Sequence, residues 1–335
     1  MSQKALRDLN ALPGSERKIE SANKGNLMKH ISEIPNENTE ECCRQNNAPL
    51  VSVPASENGA AKSGNEAGNE AGNVEIEYID SEDLNGLEDV DMTLKTILTG
   101  LDSKDWVLVC ETLNNVRRLS LFHKEAMLEM VGNVITLLVK SLKNPRSALC
   151  KTAIMTSADM FHAYNDQLID FLDPLLVQLL LKASQDKKFV CEAAERALIS
   201  MTTWVSPSLL LPKLQPYLKH RNPRVRAKAS MCFSRSVPRL GIEGIKAYGI
   251  DNLIQTAASQ LSDHLPESRE AARTLLLELQ SVYERSPEFT PSTTVSDSPE
   301  ASSWEHFCQS KLSPINAQAV LRVTNITREA LVIGS

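Results

Sequence analysis

Cysteine and histidine are the side chains best able to do chemistry, and the chain has seven of the first and six of the second. No two cysteines stand in the C-x-x-C spacing that a zinc site or redox pair needs, and Cys42 and Cys43 are simple neighbours. Cys110, Cys150 and Cys191 lie 40 and 41 residues apart, a spacing that suits one structural position filled three times by a small buried hydrophobe. On successive helices they would sit roughly 10 Å from one another, too far for shared ligation or a disulfide. The histidines are scattered; His220 and His264 have no neighbouring cysteine or serine that reads as a nucleophile. There is no G-x-G-x-x-G after a strand, no G-x-x-x-x-G-K-[ST], no H-E-x-x-H and no G-x-S-x-G. Neither an enzyme nor a cofactor or metal protein is expected.

The remaining candidates are for binding. Trp106 stands between the charged Asp105 and an apolar stripe of Val109, Leu113 and Val116, where its ring either closes the core or serves as a rigid interface anchor. The second candidate is a basic cluster of Lys219, Arg221, Arg224, Arg226 and Lys228, echoed earlier by Lys143, Arg146, Lys187 and Lys188.

What must position these residues is a helical repeat. From about Leu84 to Arg285 apolar residues recur at helical spacing, as in Ile135, Leu138, Val139, Leu142 and Leu172, Leu175, Leu176, Leu179, with no competing strict alternation. Five stretches align without gaps: DWVLVCETL, RSALCKTAI, KFVCEAAERAL, PRVRAKASM and ESREAARTL. One column reads Val109, Leu149, Val190, Val225, Ser268, and four residues on Leu113, Ala153, Ala194, Ala229, Ala272. The period of 40, 41, 35 and 43 residues belongs to HEAT and armadillo arrays, whose helix pairs bury their apolar faces only by stacking on neighbours. The sequence therefore predicts an all-α solenoid of about five helix pairs, with first helices starting near Asp89, Lys124, Asp166, Ser206 and Gly241. Equivalent turns inside the repeats should line up along one edge, bringing Trp106 and the basic residues into one strip.

The flanks differ in composition. Residues 1–83 are acidic and without sustained periodicity, and 64–73 is a Gly-Asn-Glu-Ala tandem that cannot bury enough apolar surface to offset its ordering entropy. A disordered tail is expected there, its Leu6, Leu9, Leu12 spacing offering at most two helical turns before Pro13. Residues 286–335 read as a second, mostly disordered tail with a short helix near 314–323, introduced by Ser313 and Pro314. Asn325-Ile326-Thr327 matches a glycosylation acceptor, unused without a secretory signal. The formal charge of −6 combines these acidic ends with a mildly basic body, which suits an acidic partner. A pI of 5.7 and the lack of aromatic residues along the basic edge argue against nucleic acid. Apolar runs such as Leu175–Leu181 are far too short to span a membrane and no leader is evident, so a cytoplasmic location is expected.

The Ser103-Lys104-Asp105-Trp106 turn opening the array and the Lys219-His220-Arg221-Asn222-Pro223-Arg224-Val225-Arg226 turn in the fourth repeat resemble those of a TOG domain. TOG domains are the tubulin-binding HEAT arrays of microtubule polymerases, CLASP-type stabilisers and the crescerin group. The resemblance covers residues 84–285, and a lone TOG with disordered flanks is also similar to small plant armadillo-like proteins. It implies a non-catalytic regulator of microtubules that grips tubulin edge-on through its intra-repeat turns, with Trp106, Lys104, Arg146, Lys187, Lys188, Arg221, Asn222 and Arg224 at the contact. The family often has an arginine three residues after the tryptophan, where this chain has Val109, and its fifth turn, His264 to Ser268, is not clearly basic. The alternative is an adaptor that binds a different protein or peptide on the concave surface of the array.

Overall fold

The computed structural model describes residues 78–286, 289 and 303–333, with side chains to 325. Residues 1–77, and with them Leu6, Leu9, Leu12, Cys42, Cys43 and the 64–73 tandem, lie outside the described residues. All described secondary structure is helical.

Five helix pairs follow one another. The first is α1 (Val90–Leu101) and α2 (Trp106–Phe122); in the second, α3 (Lys124–Met127) and α4 (Val131–Leu142) precede α5 (Ser147–Tyr164). The third pairs α6 (Leu172–Lys182) with α7 (Lys188–Trp204), and the fourth pairs α8 (Pro207–Leu214) with α9 (Pro223–Ser236). In the fifth, α10 (Gly241–Tyr248) and α11 (Ile250–Gln260) precede α12 (Pro266–Arg285). The second helices form one layer, α2 packed on α5, α5 on α7 and α9 on α12, and the first helices pack behind them, α1 on α4 and α4 on α6.

The aligned columns lie in the core. Val109, Leu149, Val190, Val225 and Ser268 are all buried, as are Leu113, Ala153, Ala194, Ala229 and Ala272. Small residues in the second column let neighbouring helices of one layer approach closely. The same demand appears between layers at Gly100, where a Cβ would collide with the Thr112 side chain of α2. The fourth repeat is the short one because α8 holds Pro212 and gives way to a 3-10 turn, Gln215–Lys219. In the fifth repeat Gly249, at φ 93, makes the break between α10 and α11 that a side-chain-bearing residue would resist.

Four of the five second helices begin from a short turn with its own local lock. The Ser103 Oγ accepts from the Asp105 amide (3.0 Å), Asn144 Oδ1 from Arg146 (2.9 Å), His220 Nδ1 from Asn222 (3.1 Å) and Asp263 Oδ1 from Leu265 (3.1 Å). Asp105 and Asn222 then cap α2 and α9 by accepting from the Val107 and Arg224 amides. Polar residues at these places compete with helix and so fix where each helix starts.

Two segments outside the repeats pack onto them. Residues 78–84 form a strap across α2 and α5. Leu84 is buried, Lys151 Nζ lies 3.7 Å from the centroid of the Tyr78 ring, and Arg117 holds the middle. That guanidinium, 1% exposed, donates to Asp159 (2.6 Å), the Ile79 carbonyl (2.7 Å), Asn114 (3.2 Å) and the Ser81 hydroxyl (3.2 Å), while Ser81 donates to Asp159 (2.6 Å).

At the other end α13 (Trp304–Lys311) and α14 (Pro314–Ile333) pack on α12, and α14 also reaches α11. Trp304 meets Tyr283 edge-on at 5.5 Å and Phe307 at 5.7 Å, its indole N–H donating to Thr324. Cys308, Ala317 and Val320 are buried beneath them. The helix expected near 314–323 lies inside α14, preceded by α13.

Candidate functional site

The five intra-repeat turns are tied into one edge by side chains reaching about one repeat along the chain. The Arg146 guanidinium of the second turn lies over the Trp106 ring of the first, 5.6 Å from its centroid. Lys187 of the third turn reaches back to Ser147 (3.5 Å), and Arg224 of the fourth pairs with Asp186 of the third (2.5 Å) and donates to the Ser184 carbonyl. Arg226 of the fourth binds Asp263 of the fifth at 2.6 Å. Asp102 of the first turn also pairs with Lys140 at the end of α4.

Trp106 is half-buried at the first residue of α2, one side packed against the core and the other facing Arg146. The ring packs against the core yet stays partly exposed on the edge where Arg146, Arg221 and Arg224 lie exposed. Lys104, Lys187 and Lys188 are exposed as well, Lys188 leaning toward Glu192 within its own helix at 3.8 Å. Asn222 is half-buried, and its carboxamide oxygen is engaged as the cap of α9, leaving its amide nitrogen for other contacts.

Not every basic residue of the cluster points outward. The Arg226 side chain is 20% exposed, its guanidinium also donating to the His220 and Arg221 carbonyls, and Lys228 pairs with Glu195 at 2.6 Å with 19% of its side chain exposed. These two hold repeats together. Burial alone would raise the Asp263 carboxyl, but the hydrogen bond from Arg226, the Leu265 amide and the Arg226 charge hold it below the usual carboxylate range. The outward residues of the strip are thus Lys104, Arg146, Lys187, Lys188, Arg221 and Arg224, together with Lys143 and Lys219.

The repeated cysteine column is structural. Cys110 and Cys150 are buried and Cys191 half-buried; Cys150 and Cys191 place Sγ 3.5 and 3.0 Å from the Leu142 and Ala183 carbonyls of the preceding helices. Burial pushes the Cys110 thiol up to about 11 and the Cys232 and Cys308 thiols up to about 12. All three stay protonated at neutral pH and lack the thiolate that nucleophilic chemistry uses.

Arg117 escaped the sequence reading although its signal was present. It lies four residues after Leu113 and next to Val116, on the inward stripe of α2, where a charged residue must have a buried partner. The partner, Asp159, is 42 residues away.

The family described as CLASP N terminal matches residues 120–293. The mouse protein named TOG array regulator of axonemal microtubules protein 1 is 27% identical over 204 residues, which are 60% of this chain and 12% of that one. The human protein of the same name is 28% identical over 132 residues, 39% of this chain and 8% of that one. The chain therefore spans a small part of the length of the relatives it matches. Among solved structures, a TOG domain from C. elegans Zyg9 superposes with a TM-score of 0.50 at 14% identity, over 74% of this chain and 91% of that one. A chain from work on microtubule plus-end tracking by XMAP215, CLIP-170 and EB1 gives a TM-score of 0.51 at 16% identity, over 69% and 89%. At these identities the structural likeness speaks for the fold.

Proposed function

Because the chain belongs to the CLASP N-terminal family, we propose that it is a non-catalytic module that binds tubulin and microtubules and regulates microtubule dynamics or organisation. It works on the cytoskeleton in the cytoplasm and uses the intra-repeat edge of a TOG-type array. The observation that carries this reading is the strip itself, in which a half-buried tryptophan at one end and outward lysines and arginines along four successive turns are held in register by inter-repeat bonds. Such a strip presents one aromatic anchor and a row of positive charge to an acidic partner, the combination that gives both affinity and orientation.

The contact is assigned to Trp106, Lys104, Arg146, Lys187, Lys188, Arg221, Asn222 and Arg224. Of these, Asn222 and Arg224 also stabilise the edge, since one caps α9 and the other pairs with Asp186. The non-catalytic part of the reading is supported by membership of the CLASP N-terminal family.

Co-sedimentation of the full chain with stabilised microtubules, run beside size-exclusion chromatography with soluble αβ-tubulin, tests the proposal. Binding in either assay that is lost on Arg221→Glu is the expected result. Absence from both the pellet and the tubulin peak would remove the reading.

A further inference from the structure

We propose that Ser81 is a phosphorylation site for an acidophilic protein kinase, and that its modification releases the strap of residues 78–84 from α2 and α5. The sequence around it is Glu77-Tyr78-Ile79-Asp80-Ser81-Glu82-Asp83-Leu84, with carboxylates immediately before the serine and at the two positions after it. That pattern complements the basic substrate groove of an acidophilic kinase and repels one that selects arginine or lysine near the acceptor. Ser81 is an exposed residue at the start of a single 3-10 turn. Among the described residues its docking rests on the Arg117 and Asp159 hydrogen bonds, the Tyr78 contact with Lys151, and Leu84. A segment held so lightly opens locally without unfolding the repeats, which presents the hydroxyl in the extended form a kinase takes.

In the reaction the Ser81 oxygen attacks the γ-phosphorus of ATP, the bond from that phosphorus to the bridging oxygen breaks, and ADP leaves with the electron pair. The hydroxyl proton passes to the kinase's general base.

The docked site cannot hold the product. Ser81 Oγ lies 2.6 Å from an Asp159 carboxylate oxygen, and the same carboxylate already neutralises Arg117 at 2.6 Å. A phosphate adds about −1.5 to −2 charge at neutral pH beside a carboxylate that is 6% exposed. The guanidinium has five N–H donors; Asp159, Ile79 and Asn114 engage Nε and both Nη1 hydrogens, leaving the two Nη2 N–H groups, one of them on the Ser81 oxygen in the docked strap, for three phosphate oxygens. Two anions then compete for one cation, and the strap, which bears the phosphate, is the part able to leave.

The test uses the full chain. Casein kinase 1 and casein kinase 2, each with ATP in separate reactions, are followed by peptide mass mapping and by amide hydrogen exchange before and after. Phosphate on Ser81 from either enzyme is expected, absent from Ser81→Ala, with exchange in residues 79–83 rising about tenfold or more while α5 and α7 stay unchanged. Phosphate on other serines with none on Ser81 overturns the site assignment. Phosphate on Ser81 with unchanged strap exchange overturns the release.

Discussion

Trp106 and Arg221 divide the work of testing the edge, because the first is partly structural and the second is not. Trp106 is only partly buried against the core, so Trp106→Ala should cost about 1–2 kcal/mol of stability, less than the roughly 3–5 kcal/mol of a fully buried tryptophan, and also weaken tubulin binding more than tenfold. Both are read from one sample, binding being measured well below its melting temperature. A fall in stability of the full-core size, with undiminished binding by the folded fraction, would return Trp106 to the core and out of the contact. Arg221 lends only its backbone carbonyl to the fold, accepting from Arg226, and its side chain is exposed. Arg221→Glu should therefore leave the melting temperature within error and cut binding sharply. Arg224→Glu is a poorer probe, since it would set a carboxylate against Asp186 and mix a structural cost into the result.

At the scale of elements, the array holds its edge straight by bonds that run from one turn to the next. Arg226 and Asp263 form the link between the fourth and fifth repeats, and Asp263 also locks the start of α12 through the Leu265 amide. Its folded carboxyl sits below the ordinary aspartate value of about 3.9. The stabilisation is therefore complete above about pH 4 and disappears as pH falls through the lowered folded value. Asp263→Ala should lower stability by about 2 kcal/mol at pH 7, and the gap between variant and wild type should close as pH drops below about 4. Denaturant melts at pH 7, 4 and 3 decide the matter; parallel curves at all three would show that the pair contributes nothing that titrates.

For the whole molecule, the repeat unit alone does not mark where the folded body stops. We propose that it runs from the strap at Tyr78 through α14, rather than from 84 to 285. A chain ending at Arg285 would strip Trp304, Cys308 and Val320 from Tyr283 and the rest of α12, and its melting temperature should fall by roughly 5–10 °C. Limited proteolysis of the full chain checks the same point: a resistant fragment stopping near 285 would disprove it. Binding by a basic strip is also screened by salt, the Debye length shrinking from about 10 Å at 0.1 M to about 3 Å at 1 M. Microtubule binding should weaken strongly across that range, and a salt-independent affinity would place the contact elsewhere.

The sequence by itself determined the repeat, its helix starts and the side chains of its core. Val109, Leu149, Val190 and Val225 repeat because each unit buries the same positions against its neighbours, and a column of buried residues leaves a periodic trace. The starts near Asp89 and Ser206 were legible for a related reason, since Asp and Ser next to an apolar stripe mark a helix start locally, whereas the start expected near Asp166 falls in a 3-10 segment, Asn165–Phe171, and α6 begins only at Leu172. Tertiary structure alone decided which charges face outward. Arg221 and Arg226 stand in the same turn and look alike in sequence, yet one is exposed and the other turned onto Asp263, a partner 37 residues away. It also decided that Ser81, in a stretch read as tail, meets Asp159 across 78 residues, and that Trp304 belongs against Tyr283. Neither segment repeats and neither has a long stripe, so their docking depends on long-range partners that no local pattern records; only the folded array brings those partners within hydrogen-bond or van der Waals reach.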